Sequence, residues 1–279
     1  MTGTELFDLH SHSLESDGIL SPEALVSRAK LNNVTTLALT DHDTLAGIGR
    51  AKAAALVEGM KIITGIELSS QWAGRGIHIV GLNIDVDSPS MEEAVSHQLA
   101  TRETRAEQIG RRLEKYGITN ALAGAREFSG GAAIGRPHFG RFLVEQGHVK
   151  NMNQAFKKYL GAGKPGDVKQ DWPEFDTVIG WIHRSGGVAV LAHPCKYKMT
   201  RSKLCAMVRD FADLGGDAME VVCGPQTPAQ TSDMLKIANQ FGLKASCGSD
   251  FHSPGAQWQE LGRFPPLPDG IEPVWSCWQ

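Results

Sequence analysis

The sequence places two histidines close to its start, in the stretch DLHSHSLESDG at residues 8–18. His10 and His12 are two residues apart, so in a strand their imidazoles point to the same face and can bind one ion. Asp17 follows in the next loop. Two imidazoles and a nearby carboxylate are typical ligands of a transition metal. The chain therefore has a candidate metal site, which other segments must complete.

Metal-competent side chains also stand at the ends of other short apolar runs. The stretches TDHD, LAHP and GSDFH close three of these runs, and a glutamate closes a fourth. One histidine, His78, instead stands at the start of its run, so its strand runs against the others or a loop brings it in. The candidate ligands are His10, His12, Asp17, His42, Glu67, His78, His193, Asp250 and His252.

Each candidate also has a simpler interpretation. A histidine at a strand end is often a hydrogen-bonded structural residue, and Glu67 can be a buried ion-pair partner. Asp43 can be a helix cap, and Asp41 can orient a ligating histidine. Nine such residues at the ends of six strands favour a metal centre over nine separate structural roles.

The ligand types restrict the metal and the chemistry. Six histidines and three carboxylates without cysteine suit Mn²⁺, Zn²⁺ or Fe²⁺, and we expect Mn²⁺. Nine ligands are too many for one ion, so two or three ions sharing a bridging carboxylate are predicted. Sites with several such ions usually hydrolyse phosphate esters.

Seven short apolar runs, most of them followed by helical patterns, predict an α/β barrel built largely on parallel strands. The count is one short of the common eight-stranded barrel. Ser21 before Pro22 predicts a helix start, and Asp43 with Thr44 predicts the cap of the next helix. The runs lie at 6–10, 35–40, 61–68, 77–84, 187–193, 217–223 and 243–249.

A helical, basic insertion is predicted at 96–170, between barrel segments 1–95 and 171–279. Residues 97–170 hold 13 Lys or Arg and 6 Asp or Glu, a net charge of +7, and the remainder holds 15 and 25, a net of −10. A basic segment can bind phosphates and an acidic body can bind metal ions. The alternative is a charged, solvated helical surface. The Pro-rich tail from residue 263 is predicted to lie on the barrel as an ordered strap, or else to be loose.

The length and composition are those of one large globular domain, or of one domain with an insertion. The chain has 279 residues, 41% of them hydrophobic and 21% charged. Its five cysteines form no CxxC pair, which argues against a zinc knuckle or a disulfide framework and for reduced thiols. No signal peptide or membrane span is expected, so we predict a cytoplasmic protein without a membrane partner.

The motifs together resemble the PHP (polymerase and histidinol phosphatase) superfamily. DLHSHSLESDG, LALTDHDTLAG, ITGIELS, IHIVGL, LAHP and GSDFH occur in the family's order and span residues 8 to 252. The resemblance implies a distorted seven-stranded (β/α) barrel with a trinuclear metal centre. The implied ligand groups are His10, His12, Glu67 and Asp250 for one ion, Glu67, His78 and His193 for the second, and Asp17, His42 and His252 for the third.

Within this family the chain is most similar to phosphoesterases that carry a helical insertion, the 3′,5′-nucleoside bisphosphate phosphatases and the 5′→3′ exoribonucleases. GRPH at 135–138 and YLGAGKPGD at 159–167 carry this resemblance. It implies Arg136, His138 and Lys164 as phosphate ligands. Arg136 can instead pair with a barrel carboxylate, and Lys164 can be a solvated turn residue. Gly166-Asp167 replaces the usual Ala-Tyr, which removes any contact from that tyrosine.

The implied reaction is removal of the 3′-phosphate from a nucleoside 3′,5′-bisphosphate to give a 5′-mononucleotide, with trimming of short 5′-phosphorylated RNA from its 5′ end. A metal-bound hydroxide held by Glu67, Asp250 and His193 would attack phosphorus. One alternative is a histidinol-phosphate phosphatase, against which the basic insertion argues. Another is a non-catalytic nucleic-acid-binding module, against which the complete ligand set argues. No protein partner is evident.

Overall fold

The protein folds around one sheet of seven strands. The structure is a computed structural model that describes residues 5–169, 171–255 and 259–278. All seven lie where the apolar runs predicted them. The strands are β1 (Phe7–Asp8), β2 (Thr36–Leu39), β3 (Lys61–Trp72), β4 (Arg75–Leu82), β5 (Val188–Leu191), β6 (Ala218–Cys223) and β7 (Lys244–Gly248).

The sheet curls into a nearly closed barrel with its strands in sequence order. Residues just after β1 hydrogen-bond to the last strand, as Leu9 N donates to Cys247 O at 3.0 Å. Of the strands described, β4 alone runs against both of its neighbours. Its first residues therefore lie at the rim where the other strands end, which brings His78 to the predicted site. The tight turn at Ala73 and Gly74, both with positive φ, reverses the chain between β3 and β4.

Helices cover the barrel and fill most of the region between β4 and β5. They are α1 (Pro22–Leu31), α2 (Ile48–Glu58), α3 (Pro89–Glu114), α4 (Ala121–Ser129), α5 (Arg136–Glu145), α6 (Met152–Ala155), α7 (Phe175–Arg184), α8 (Arg201–Asp213) and α9 (Pro228–Gln240). A π-helical segment (Phe156–Leu160) and two 3₁₀ turns (Pro194–Lys196 and Val274–Trp278) complete the described elements. None of the described helices is both long and apolar enough to cross a bilayer.

One of the two predicted helix caps is confirmed and the other is wrong. Ser21 Oγ accepts a hydrogen bond from Ala24 N at 3.2 Å, with Pro22 as the first helical residue. Helix α2, however, begins after Gly47 rather than after Asp43. The Asp43 carboxylate is buried and accepts a hydrogen bond from Ser69 N at 2.7 Å, so it cannot cap a helix.

The helices between β4 and β5 carry an apolar cluster of their own. Ile109, Leu113, Phe139, Leu143 and Leu160 belong to this cluster and are buried together. Burial of apolar side chains away from the barrel core stabilises these helices as a unit. The division into a barrel (1–95 and 171–279) and an insertion (96–170) stays a prediction, which this separate cluster supports.

The described part of the C-terminal tail, through residue 278, lies against the barrel. Trp275 stacks on Phe7 with ring centroids 4.1 Å apart, and Val274 is buried. Ala245 N, in β7, donates to Glu272 O at 2.8 Å. The predicted strap is therefore confirmed, and it covers the end of the barrel where β1 begins.

Candidate active site

The first two histidines of the chain meet in the barrel interior. His10 and His12 follow β1, both are buried, and their Nε2 atoms are 3.1 Å apart. Two ring nitrogens at this distance share one proton or bind one cation. The alternation of the extended chain, which points His10 and His12 inward and leaves Ser11 paired with Phe251, produces this geometry.

Glu67 stands at the centre of the predicted ligands. Its Oε1 is 2.9 Å from both His78 Nδ1 and His193 Nε2. Its Oε2 is 2.8 Å from His42 Nδ1, 3.3 Å from His12 Nε2 and 3.4 Å from His10 Nε2. A carboxylate with separate histidines around each oxygen is positioned to bridge two ions.

Two more carboxylates complete the cluster. Asp17 Oδ1 is 3.2 Å from His252 Nε2, and its Oδ2 is 3.7 Å from His42 Nε2. Asp250 Oδ1 lies 3.4 Å from His12 Nε2. Ligand atoms of His12, Asp17, His42 and His252 all lie within 4.8 Å of one another, as do those of His10, His12 and Glu67. The structure thus brings all nine predicted ligands together.

Several buried ligand atoms in this cluster form no well-aligned hydrogen bond among the described residues, although His42 Nδ1 lies 2.8 Å from Glu67 Oε2 and Asp17 Oδ1 lies 3.2 Å from His252 Nε2. They are His12 Nδ1, Asp17 Oδ1, His42 Nδ1, Glu67 Oε2 and His193 Nδ1. Leaving a buried polar atom without a partner costs about 1–3 kcal/mol, which applies most directly to His12 Nδ1 and His193 Nδ1. Divalent cations would supply the missing partners, so the residues present fit metal ions.

The charges of the cluster point the same way. Burial opposes ionisation of Glu67, yet His42, His78 and His10 hold its pKa well below the usual range. Burial, with the charges of His252 and His42, lowers the pKa of His12 to about 3. Burial would also lower the pKa of His252, but Asp17 raises it to about 10. Without metal, the cluster balances its carboxylates by taking up protons, which bound cations would displace.

Buried carboxylates outside the predicted set hold the ligands in place. Glu220 Oε1 is 2.7 Å from His10 Nδ1, and its Oε2 accepts a hydrogen bond from His193 N. Asp41 accepts hydrogen bonds from Ser13 N at 2.7 Å and Ser16 Oγ at 2.6 Å, so it orients the loop before Asp17 rather than a histidine ring. Glu220 was not predicted from the sequence. Its signal was an acidic residue inside the apolar run of β6.

A cavity of about 730 Å³ opens above the ligands. Asp17, His42 and His78 reach its floor, and three arginines of the insertion, Arg102, Arg105 and Arg136, form one wall. This wall will be called the arginine wall. It is the largest concentration of positive charge that lines the described cavity, and a phosphate group is a natural partner for it.

Arg102 and Arg105, two members of the arginine wall, have different hydrogen-bond partners. Arg102 is buried and its Nε donates to Asp43 Oδ2 at 2.6 Å. Arg105 Nε donates only to the Val168 carbonyl at 3.2 Å among the hydrogen bonds described. Burial, together with the charges of Arg136 and Arg102, lowers the pKa of Arg105 to about 9. Arg105 therefore has no carboxylate partner among the described ion pairs while two other guanidinium groups oppose its charge, and an anion in the cavity would stabilise it.

The structure separates the three predicted phosphate ligands. Arg136 lines the cavity, with Phe156 beneath its guanidinium. His138 is buried outside the cavity lining, and its Nδ1 accepts a hydrogen bond from Gly135 N at 3.0 Å. Lys164 is exposed and lines a separate cavity with Arg112 and Lys115. The geometry thus supports Arg136 as a phosphate ligand and gives His138 and Lys164 other surroundings.

Arg102 and Arg105 were not predicted from the sequence either. The available signal was their spacing, because residues three apart on a long helix share one face. Asp167, at the position where the resemblance implied a tyrosine, lines the same cavity. Its Oδ2 accepts a hydrogen bond from Gly163 N at 2.7 Å and closes the loop there.

Comparison with known proteins agrees with this geometry. Residues 8–201 match the PHP domain family. The chain is 48% identical over 273 residues to a 5′-3′ exoribonuclease of Haemophilus influenzae, covering 98% of this chain and 99% of the relative. It is 39% identical to a 3′,5′-nucleoside bisphosphate phosphatase of Chromobacterium violaceum, covering 96% and 94%. A solved structure of an amidohydrolase from C. violaceum, with bound sulfate and no metal, superposes with a TM-score of 0.90 at 38% identity, covering 97% and 94%.

The barrel and its cluster of ligands define a phosphoesterase of the metal-dependent kind. The chain belongs to the PHP family, as its motifs predicted. The predicted fold, a seven-stranded barrel with helices, is confirmed as well.

Proposed function

We propose that the protein hydrolyses the 3′-phosphate of nucleoside 3′,5′-bisphosphates to give 5′-mononucleotides, and that it trims short 5′-phosphorylated RNA from the 5′ end. One observation carries the proposal: the arginine wall and the floor of metal ligands face one cavity. A substrate with two phosphates on one nucleoside can satisfy both. The names of the relatives support the same two substrates.

The arginine wall would hold the 5′-phosphate. Arg136 can bind a phosphate through two parallel N–H donors, and Arg105 adds a charge that has no carboxylate partner among the described ion pairs. Because the 5′-phosphate is fixed there, the phosphorus on O3′ is placed over the floor. This positioning converts an encounter into an oriented reaction and is itself a large part of catalysis.

The chemistry occurs at the floor. Divalent ions bound by the nine ligands, in our proposal two or three Mn²⁺, would lower the pKa of water and neutralise charge on the phosphoryl oxygens. The oxygen of water forms a bond to phosphorus as the P–O3′ bond breaks, and O3′ leaves with a proton. Glu67, Asp250 and His193 surround the position we propose for the attacking oxygen. Glu220 keeps His10 and His193 oriented for this role.

The same site accommodates RNA. The first nucleotide of a 5′-phosphorylated strand carries a 5′-phosphate and a second phosphate on O3′, as a bisphosphate does. The difference is that the second phosphate continues into the chain, so its hydrolysis releases a 5′-mononucleotide and a strand that again begins with a 5′-phosphate.

Two alternatives fit the site less well. Histidinol phosphate carries a cationic amine, which the like charges of the arginine wall would repel. A binding module without catalysis would have no need of nine converging ligands with unsatisfied donor atoms. The predicted cytoplasmic location stays a prediction. The four described cysteines, Cys195, Cys205, Cys223 and Cys247, form no disulfide.

The test uses purified protein with Mn²⁺ and two substrates, adenosine 3′,5′-bisphosphate and a short 5′-phosphorylated RNA, with chromatography of the products. We expect AMP from the first and 5′-mononucleotides from the second. His10→Ala and Asp250→Ala should abolish both reactions while circular dichroism stays unchanged. Hydrolysis of histidinol phosphate with neither nucleotide touched would overturn the proposal. Parallel assays with Zn²⁺ and Fe²⁺ rank the metals.

A further inference from the structure

The cavity has a second basic side, formed by the barrel itself. Arg75, at the start of β4, and Lys203, in the first turn of α8, line the same cavity as the arginine wall. Both side chains are exposed. Neither side chain forms an ion pair with a carboxylate among the described residues. Arg201 and Arg209, which lie on the same helix as Lys203, do form such pairs. Arg75 and Lys203 will be called the hairpin pair.

The hairpin pair is held over the cavity by contacts that lead to the floor. Arg75 Nη1 donates to the Tyr197 carbonyl at 3.3 Å, and Tyr197 Oη accepts a hydrogen bond from His78 N at 2.8 Å. Lys203 Nζ lies 5.8 Å from the centre of the Trp72 ring. The Trp72 indole donates to Asp210 at 2.9 Å, which fixes the ring. Arg75 is therefore linked through Tyr197 to a candidate metal ligand, and Lys203 stands beside an indole ring that is itself fixed.

A nucleoside 3′,5′-bisphosphate does not need the hairpin pair. Its 5′-phosphate belongs to the arginine wall and its 3′-phosphate to the floor, so both phosphates already have partners. On the barrel side of the cavity, two further cations without an ion-pair partner among the described residues match a third phosphate, whereas Lys169, which also lines the cavity, belongs to the insertion. In a strand with a free 3′-hydroxyl, that phosphate is present only when the strand has three or more nucleotides, and it lies on the 3′ side of the bond that breaks.

We infer that Arg75 and Lys203 bind the phosphate on the 3′ side of the scissile one in an RNA strand. The inference rests on the proposed function. It holds that the hairpin pair sets the preference between mononucleotide and oligonucleotide substrates. Contacts of exposed Lys and Arg to a phosphate carry no base information, so the subsite accepts any sequence. The pair determines specificity for length and takes no part in bond cleavage.

A length series tests the inference. Adenosine 3′,5′-bisphosphate and the dinucleotide pApA have no third phosphate, and the trinucleotide pApApA has one. In the double variant Arg75→Gln, Lys203→Gln we expect kcat/KM within about twofold of wild type on the first two substrates. On the trinucleotide it should fall by about 10- to 100-fold, mainly through KM. The salt dependence of kcat/KM on the trinucleotide should weaken by about 0.7 in log–log slope.

Arg201→Gln is the matched control, since Arg201 also lies on α8, is exposed and is paired with Asp233 away from the cavity lining. It should change kcat/KM for none of the substrates. Suppose that the wild type cleaves all three substrates and that the double substitution changes kcat/KM by the same factor on each. That result overturns the inference and leaves the proposed function standing. A wild type that cleaves neither bisphosphate nor RNA overturns the proposed function, and the inference falls with it. Thermal unfolding of the variants shows that each is folded.

Discussion

Replacing Arg105 with methionine should stabilise the protein and damage its binding of nucleotides. Arg105 extends from α3 into the arginine wall, where its one described hydrogen bond goes to the Val168 carbonyl. Methionine keeps an unbranched side chain but removes the charge and, with it, the cation–π contact of the guanidinium with Trp172. The variant therefore separates the cost of holding this charge in the folded protein from the benefit of offering it to a phosphate.

The structure sets the size of the stability change. Burial, with the charges of Arg136 and Arg102, lowers the pKa of Arg105 from 12.5 to about 9, which corresponds to roughly 5 kcal/mol against the charged form. Loss of the hydrogen bond to Val168 takes back about 1 kcal/mol. Loss of the cation–π contact with Trp172 takes back about 1–2 kcal/mol more, so we expect a net gain of a few kcal/mol. For a chain of this length that is a rise in Tm of about 5–10 °C.

The effect on function should have the opposite sign. A charge-assisted hydrogen bond to the 5′-phosphate contributes about 1.5–3 kcal/mol, so kcat/KM for adenosine 3′,5′-bisphosphate should fall by about 10- to 100-fold. Adenosine 3′-monophosphate has no 5′-phosphate to lose, so its kcat/KM should change little. The ratio between the two substrates isolates the contact from any general disturbance of the site.

The assay combines calorimetry without ligand with kinetics on both substrates. Arg111→Met is the control, because Arg111 lies on α3 and pairs with Glu107 outside the cavity lining. It should leave both the Tm and the substrate ratio near wild type. A lower Tm for Arg105→Met would show that the Arg105 charge does not destabilise the folded protein. An equal fall in kcat/KM for both substrates would show that Arg105 does not bind the 5′-phosphate.

Two further predictions concern packing and pH. Gly248→Ala should lower the Tm by several degrees and weaken Mn²⁺ binding in calorimetric titration, because the added Cβ would lie 2.5 Å from His10 Cβ and 2.6 Å from His10 N. His138→Gln should flatten the fall in Tm between pH 7.5 and pH 5. Burial, with the charge of Arg141, lowers the pKa of His138 from 6.5 to about 4, so the unfolded chain binds the proton first and stability is lost as pH falls through this range. An unchanged pH profile would contradict the second prediction.

The cluster of candidate metal ligands could be predicted from the sequence because almost every member is placed by a local feature. All except His78 stand at or near the end of a short apolar run, and the ends of parallel barrel strands lie at one rim. His78 was ambiguous for the same reason, since its run points the wrong way. The Ala73-Gly74 turn resolves it, because a two-residue turn makes β4 antiparallel to β3 and brings its start to the rim.

The supports of the centre could not be predicted, because they are contacts between distant parts of the chain. Asp43 followed a valid local rule for helix caps, yet a buried pair with Arg102, 59 residues away, outweighs that rule. His138 belongs to a motif that suggested a phosphate ligand. Its side chain instead accepts a hydrogen bond from Gly135 N and secures the start of α5, next to Arg136.

Specificity in this protein must come from the sides of the cavity rather than from its floor. Metal ligands that stabilise charge on one phosphoryl group will do so for almost any phosphate ester, so the floor alone cannot distinguish a nucleotide from histidinol phosphate. The arginine wall belongs to the insertion and the hairpin pair to the barrel. On the proposed function, the arginine wall selects the group on the 5′ side of the scissile bond, and the hairpin pair selects the group on its 3′ side. Substitutions in one should therefore leave the selectivity of the other intact, as expected for independent sites whose free-energy effects add.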